Sequence, residues 1–315
     1  MLRFKDFLSE GKGSDLNTIY GDAYETGTAL HIHRNTGSAH NKDSEHKARI
    51  AHIQQVHDEA IAKLPDHLKE RAQKSAKSSA SAYLDSLKVN HKIDAKDTHE
   101  VHHTSKGIDK LVGRAVDRKQ NPHDIVIKTK SGKLHGASLK ATQGTLSNNT
   151  TNQFDKEGEK SGVKTNISGI WERGKKKAGL HGLSGKEVKA RRDEPKVKEA
   201  NAETQREAAD HHADVFNKSK LSHQKKHMEY LMKTNPDLHY DYVNGEKGKS
   251  TPIEKVDHVK ALHSSKSLHA TVHNNVVKIH DHEGKHILSV EHRPTHGAFS
   301  SIQANAKLGS MKAAK

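Results

Sequence analysis

The amino-acid sequence predicts an α+β (or α/β) protein, in which helices flank a small central mixed sheet and additional strands follow near the C-terminus. Apolar residues recur every three to four positions across residues 46–64, which is typical of an amphipathic helix. Two short apolar runs, 123–129 and 134–141, are separated by a Lys-Ser-Gly-Lys turn and predict a β-hairpin. Short runs within residues 268–306, divided by the turn signals Asn-Asn and Glu-Gly, predict the C-terminal strands.

Helices are expected on both sides of the hairpin. The N-terminal helices are predicted over residues 17–35, 46–64 and 66–88, with Pro65 ending the second. Polar, histidine-rich residues 91–105 follow, and then a short helix over 107–117. Beyond the hairpin, further helices are predicted over residues 203–234 and 253–263. The C-terminal strands are predicted over residues 268–273, 275–280, 286–292 and 299–306.

The composition points to a polyanionic partner. The 315 residues include 54 Lys and Arg against 39 Asp and Glu, which gives a formal net charge of +15. Such an excess favours nucleic acid, because phosphate neutralisation supplies affinity that does not depend on base sequence; the alternative is a protein whose pI is high for no functional reason. The absence of cysteine excludes disulfides and thiolate metal sites. No apolar run approaches the length of a membrane span, so no membrane partner is expected.

The hairpin brings together the residues best suited to chemistry. A turn centred on Ser131 and Gly132 places Asp124 opposite about residue 139, so that residues 138–140 are its nearest neighbours. Side chains alternate along a strand, so Ser138 and Lys140 lie on one face. A carboxylate beside an ammonium group can hold a divalent cation together with a phosphate. The alternative is an ordinary hairpin with solvated charges.

The segment NPHDIVIKTKSGKLHGASLK resembles the core of the PD-(D/E)XK nuclease superfamily, which has a restriction-endonuclease-like fold. Pro122 and Asp124 match its Pro-Asp element with one extra residue between them, and residues 138–140 match its (D/E)-X-K element. The earlier segment GDAYETGTALHIH resembles the N-terminal helix of the superfamily, whose metal-site glutamate corresponds to Glu25. The resemblance covers roughly residues 17–160.

The resemblance implies Mg²⁺- or Mn²⁺-dependent hydrolysis of DNA phosphodiester bonds. Asp124 and Glu25 would bind the metal ion, and Lys140 would stabilise the charge on the phosphate or position the attacking water. This chain departs from the pattern at Ser138, where the superfamily usually has an acid. The missing carboxylate would then come from Glu25 or from a neighbouring helix that carries Asp155, Glu157 and Glu159.

A strongly basic stretch follows the nuclease-like segment. Residues 172–200 are expected to grip the phosphate backbone outside the catalytic site, or else to form a solvated charged loop. The predicted nucleic-acid-binding residues are Lys175, Lys176, Lys177, Arg191 and Arg192. Trp171, the single tryptophan, either stacks on a base or anchors the packing beside Ile170.

Histidine is abundant, with 28 residues, and several lie in close pairs. At this density such pairs are expected by chance, and a zinc site needs three or four ligands with matched geometry. A His-Asn-His nuclease site around His102 and His103 is a second alternative, although no matching metal-binding hairpin follows it. The other close pairs are His31 and His33, His211 and His212, and His280 and His282.

The N-terminal segment MLRFKDFLSE resembles the capsid-targeting leader of internal head proteins in large tailed phages of the T-even type. In that group a prohead protease cuts after a Glu preceded two residues earlier by Leu or Ile, which Leu8-Ser9-Glu10 satisfies. The protein would then act in the host cytoplasm or lie inside the phage head with its DNA. The alternative to a nuclease is accordingly a non-enzymatic, DNA-binding internal head protein.

These expectations divide the chain into four regions. Residues 1–10 form the predicted leader, 11–160 the nuclease-like core, 161–265 a basic helical and loop region, and 266–315 a C-terminal β segment. The last segment either completes the core sheet or forms a small sheet of its own. A homo-oligomer is compatible with this organisation.

Overall fold

The computed structural model describes residues 13–103, 111–113, 121–141, 147–234, 238–295, 297–300 and 302–311. The predicted leader and most of the predicted helix over 107–117 lie outside the described residues. Helices and strands alternate in blocks along the chain, which confirms the α+β class. Within the described part, no helix combines the length and the apolar character that crossing a membrane requires.

The α-helices of the described residues lie in three blocks along the chain. They are α1 (Gly13–Arg34), α2 (Ser44–Lys63), α3 (Asp66–His91), α4 (Thr151–Ser161), α5 (Ile167–Lys177), α6 (Gly185–Arg191), α7 (Pro195–Lys218), α8 (Leu221–Met232) and α9 (Asp257–Ser264). Short 3₁₀ turns occur at Gly37–His40, Ala95–Asp97 and Ile253–Lys255.

The strands form two five-stranded sheets. They are β1 (Thr98–His103), β2 (Ile125–Thr129), β3 (Leu134–Lys140), β4 (Ser147–Thr150), β5 (Tyr240–Asn244), β6 (Lys249–Pro252), β7 (Leu268–His273), β8 (Val276–Asp281), β9 (His286–Pro294) and β10 (Ile302–Leu308).

The described residues fall into two compact units, which divide the chain differently from the predicted regions. The first unit lies within residues 1–144 and 236–256, and the second within 145–235 and 257–315. The expected core boundary at residue 160 therefore differs from the structure, because α4 belongs to the second unit. Residues 161–265, expected to be helix and loop, also contribute β5 and β6 to the first unit.

The first unit is built on a mixed sheet with the strand order β1-β2-β3-β5-β6. β3 and β5 run parallel, while the other neighbouring pairs are antiparallel. Side chains alternate across the sheet, so Ile125, Ile127, Ala137 and Leu139 point to one face. These four residues share one buried cluster with residues of α1, α2 and α3. The predicted hairpin, with Gly132 at φ +83° in its turn, is confirmed at the centre of this sheet.

Small side chains let α1 and α3 pack closely above the sheet. α3 buries alanines and serines along the face that meets α1, and the Tyr24 hydroxyl lies 2.7 Å from Ser79 Oγ. A Cβ atom at Gly27 would lie 3.1 Å from both Ala76 Cβ and His57 Cε1. Such contacts are tighter than ordinary van der Waals spacing. Because Gly27 has no side chain, α1, which also carries Glu25, can pack this close to α2 and α3.

The second unit contains an antiparallel sheet with the strand order β4-β10-β9-β8-β7. The C-terminal strands are thus confirmed as strands, but they do not complete the first sheet. They form a separate sheet, in which β10 pairs with the edge strand β4, whose Ser-Asn-Asn-Thr sequence gives no apolar signal. α7 packs against β7, β8 and β9, and one helix expected over residues 203–234 proves to be α7 and α8.

Candidate functional site

Asp124 is fixed at the start of β2 by the neighbouring strand. Its backbone N–H donates to the carbonyl of Ala137 over 2.9 Å, and its Oδ2 accepts a hydrogen bond from Leu139 N–H over 2.6 Å. Ile125 pairs with Ala137, so Asp124 lies opposite Ser138, one residue from the predicted register. The sequence therefore placed the carboxylate correctly against residues 138–140, and its Oδ1 makes no hydrogen bond to the described residues.

Three other charged or titratable groups act on Asp124. They are Lys140 at the end of β3, Glu25 on α1 and His103 at the end of β1. His103 Nε2 donates a hydrogen bond to Glu25 Oε2 over 3.2 Å, which joins the helix to the sheet at this edge. Glu25 and Lys140, which the sequence predicts to be catalytic, therefore both lie close enough to Asp124 to affect its charge.

The electrostatics of this edge disfavour two free carboxylates. Burial raises the pKa of Asp124 to about 7; the Lys140 ammonium opposes this shift, and the negative charge of Glu25 adds to it. The Leu139 N–H lowers the pKa, but not enough to offset burial. A carboxylate desolvated beside a second carboxylate is stabilised by a divalent cation. The donor chemistry of Glu25 and Asp124, which offers only oxygen, fits a hard cation such as Mg²⁺ or Mn²⁺.

Ser138 occupies the position of the second acid, and it is buried. Its partner on the parallel strand β5 is Tyr242, and burial raises the pKa of that tyrosine to about 12. Neither residue offers a carboxylate at this point of the sheet. Glu25 is therefore the second acid that the described residues bring to Asp124.

Asp155 and Glu157, predicted as supporting acids, have other partners in the second unit. Asp155 caps α5: its two oxygens accept hydrogen bonds from the backbone N–H groups of Ile167 and Ser168 and from the hydroxyls of Thr165 and Ser168. Glu157 pairs with Lys160 over 2.9 Å. These four hydrogen bonds hold the Asp155 carboxylate at the N-terminus of α5. Asp155 therefore has a structural role as the cap of that helix.

The predicted nucleic-acid-binding residues lie on α5 and at the end of α6, and most are paired with acids. Lys175 contacts Glu172 over 2.8 Å, and Lys177 contacts Glu203. The Arg191 guanidinium makes two parallel bonds to Glu194, at 2.8 and 2.9 Å, and Arg192 lies 3.5 Å from Asp193. Lys176 is exposed and has no carboxylate partner within the described ranges. These surface pairs are weak and exchangeable, but they lower the net positive charge of this stretch.

A basic cleft in the first unit was not predicted. Its volume is about 810 Å³. The charged and titratable side chains that line it are lysine, arginine and histidine, and none of the lining residues is a carboxylate. Its charged and titratable lining residues are Arg34, Lys42, Lys96, Lys130, His40 and His99. These residues come from three separate segments of the sequence, 34–42, 96–99 and 130, so no local run of charge signals the cleft. We refer to this feature below as the basic cleft.

A second unpredicted feature is a group of three potential metal ligands on the helix-covered face of the first sheet. His91 ends α3, His135 lies on β3 and Asp241 on β5, and one ligand atom from each lies within 4.8 Å of the others. Burial lowers the pKa of His135 to about 3, and the neighbouring His91 adds to this effect. We name this group the His91 cluster; it could hold a metal ion. Its members are too far apart in sequence for spacing to reveal them.

The histidine pairs that are close in sequence have separate roles in the structure. His102 lies 3.0 Å from Glu100 in an ion-pair network with Arg49, whereas His103 contacts Glu25. Alternation along β1 sends these two side chains to opposite faces, so they do not form a common site. Trp171 is buried and packs edge-on against Phe299 with ring centroids 5.6 Å apart, which confirms the packing interpretation.

Comparison with known proteins identifies no relative: no protein-family model matches the chain, and no curated protein or solved structure is significantly similar to it.

Proposed function

We propose that the chain is a phage-encoded, metal-dependent DNA nuclease that hydrolyses phosphodiester bonds at the site formed by Glu25, Asp124 and Lys140. The observation that carries the proposal is that Glu25 on α1 and Lys140 on β3 both act electrostatically on Asp124, which directly precedes β2. This is the chain order of acid, acid and lysine that the nuclease resemblance predicts.

Each residue has a role that follows from its position. Asp124, anchored through Oδ2 to Leu139 N–H, presents Oδ1 as a ligand, and Glu25 supplies a second carboxylate held by His103. A bound Mg²⁺ or Mn²⁺ would polarise the scissile phosphate and lower the pKa of the attacking water. The Lys140 ammonium neutralises the charge that accumulates on the non-bridging oxygens in the transition state.

The basic cleft supports DNA as the substrate. Asp124 precedes β2 and Lys130 follows it, so a strand of about 20 Å, at roughly 3.3 Å a residue, separates the cleft from the site. A duplex rises about 3.4 Å per base pair, so a DNA segment of about six base pairs would be long enough to reach from one to the other. The cleft would hold the phosphate backbone while the site acts on a more distant bond.

A second candidate function is supported by Ser138. If a serine in place of an acid leaves the cation too weakly bound for catalysis, the chain is a non-enzymatic, DNA-binding internal head protein that keeps the basic cleft. In that case DNA binding falls steeply with salt, and loss of Asp124 does not affect it. Cleavage after Glu10 by a prohead protease belongs to the same proposal.

Cleavage of plasmid and linear DNA with Mg²⁺, Mn²⁺ or EDTA distinguishes the two functions. We expect metal-dependent cutting that Asp124→Ala and Lys140→Ala both abolish while DNA binding persists. Lys133→Ala is the matched control, because Lys133 is an exposed lysine in the turn of the same hairpin. Salt-sensitive binding without cleavage by the unaltered protein would reject the nuclease and support the second candidate.

A further inference from the structure

The His91 cluster places two fully buried potential metal ligands, Asp241 and His135, inside the first unit. Asp241 is 0% exposed and His135 is 1% exposed, so water does not solvate either group. His91 Nε2 lies 2.7 Å from Asp241 Oδ1, close enough to donate a hydrogen bond to it. His135 Nε2 lies 3.7 Å from the same oxygen, beyond hydrogen-bond distance, and has no partner among the described residues.

The Tyr83 hydroxyl is the hydrogen-bond partner of His135 Nδ1. The Tyr83 hydroxyl lies 3.0 Å from the backbone carbonyl of His135 and 3.0 Å from its Nδ1. When the hydroxyl donates its proton to the carbonyl, Nδ1–H donates to the tyrosine oxygen. Nε2 of the neutral ring then carries a lone pair that faces the carboxylate of Asp241. A cation between these two buried acceptors would remove their mutual repulsion.

We propose that the His91 cluster is a binding site for a transition-metal cation of the Zn²⁺ class. Two imidazoles and one carboxylate suit Zn²⁺, whereas Mg²⁺ prefers a shell of oxygen ligands. Bond lengths near 2.0–2.2 Å and tetrahedral angles set neighbouring ligand atoms about 3.3 Å apart. His135 Nε2 and Asp241 Oδ1 are already near that spacing, and His91 has to withdraw by about 0.6 Å as its Nε2 proton leaves.

Second partners hold two of the three ligands in orientation. The Tyr83 hydroxyl is hydrogen-bonded to His135 Nδ1 over 3.0 Å, and Ser250 Oγ donates to Asp241 Oδ2 over 2.8 Å. Such outer contacts commonly fix the tautomer and the direction of metal ligands. His91 also lies in the last turn of α3, where the helix dipole favours a cation.

The consequence of metal binding at this position is a cross-link. The cation would join the C-terminus of α3 to β3 and β5, which are paired through a parallel ladder. β3 also carries Lys140 and the Leu139 N–H that binds Asp124, so the same strand supports both sites. The inference stands on the His91 cluster alone and does not depend on nuclease activity.

Metal titration of the chelator-treated full chain tests this inference. We expect one Zn²⁺ per chain by calorimetry, the visible absorption of tetrahedral Co²⁺ when cobalt replaces zinc, and a raised thermal midpoint. His91→Ala and Asp241→Asn should lower the affinity at least tenfold, and Tyr83→Phe should lower it by about 10–100-fold through His135. His52→Ala, an exposed histidine on α2, should leave binding unchanged.

Two outcomes would overturn the site: no stoichiometric binding by the unaltered chain, or binding that neither His91→Ala nor Asp241→Asn weakens. His91→Ala carries the test if Asp241→Asn does not fold, because His91 is partly exposed at the end of a helix. Asp124→Ala should retain full zinc binding while it loses cleavage, so failure of the nuclease and failure of the zinc site are separate results.

Discussion

Mild acid is expected to destabilise the second unit through three histidines buried around Phe154. The rings of His212, His227 and His292 lie 5.0–5.4 Å from the Phe154 ring, all nearly perpendicular to it. His212 Nδ1 and His292 Nε2 are 3.0 Å apart, and one ring nitrogen of each histidine has no partner among the described residues. These histidines serve as neutral aromatic core residues in a chain that has few other aromatic side chains.

The size of the effect follows from the pKa shifts. Burial lowers the pKa of His227 to about 4 and that of His292 to about 3, from an ordinary 6.5; for His292 the negative charge of Asp155 opposes the shift. Below pH 6.5 the unfolded chain binds protons that the folded unit excludes, so stability is full above 6.5 and falls as the pH decreases. At about 1.4 kcal/mol for each pKa unit, His227 alone lowers the free energy of unfolding by about 2 kcal/mol at pH 5.

Urea unfolding followed by Trp171 fluorescence measures this effect, because Trp171 is buried in the same unit. Between pH 7.5 and pH 5, His227→Leu should lose about 2 kcal/mol less than the unaltered chain, since one titrating group is gone. His181→Gln, which changes an exposed histidine, should follow the unaltered chain. Equal pH dependence for His227→Leu and the unaltered chain would refute the argument.

Two further predictions concern helix capping and DNA binding. Asp155→Ala should lower the free energy of unfolding of the second unit by about 2–4 kcal/mol in the same urea assay, because α5 loses its cap, while Glu159→Ala should have little effect. If the Asp155→Ala variant folded but lost metal-dependent cleavage, Asp155 would instead belong to the catalytic site. Replacing the three lysines of the basic cleft with alanine should reduce the salt dependence of DNA affinity by up to about 3 in log–log slope, measured by fluorescence anisotropy. An unchanged slope, or an equal loss on replacing Lys74, Lys77 and Lys88 of α3, would contradict a specific role for the cleft.

The hairpin was predictable because every signal it needs is local. Apolar residues on both strands and a Ser-Gly turn fix β2 and β3, and the turn sets the register to within one residue of the observed pairing. The sequence therefore correctly predicts that Asp124 lies beside residues 138–140. Glu25 was placed by resemblance to a helix motif, since nothing in the residues between 25 and 124 specifies that contact.

The features that escaped prediction depend on pairing between distant segments. β5 is a five-residue strand that runs parallel to β3 about a hundred residues after it, and β4 is a polar strand recruited by the C-terminus. Asp241 reaches His135 only through the first of these pairings. Histidine added a second difficulty, because its sequence context does not distinguish a buried ring such as His227 from an exposed one such as His181.

The most direct test of the central claim is a double-mutant cycle on the single-turnover rate of DNA cleavage with Mg²⁺. Residues that act as one catalytic unit are strongly non-additive, because removing the first already disables the site. We therefore expect Glu25→Gln and Asp124→Asn each to reduce the rate by about 100-fold or more, and the double variant to be no slower than the more severe single variant. A shared site would be contradicted if the rate losses of the two single variants multiplied in the double variant. It would also be contradicted by a single variant with full activity, or by an unaltered chain that does not cleave DNA.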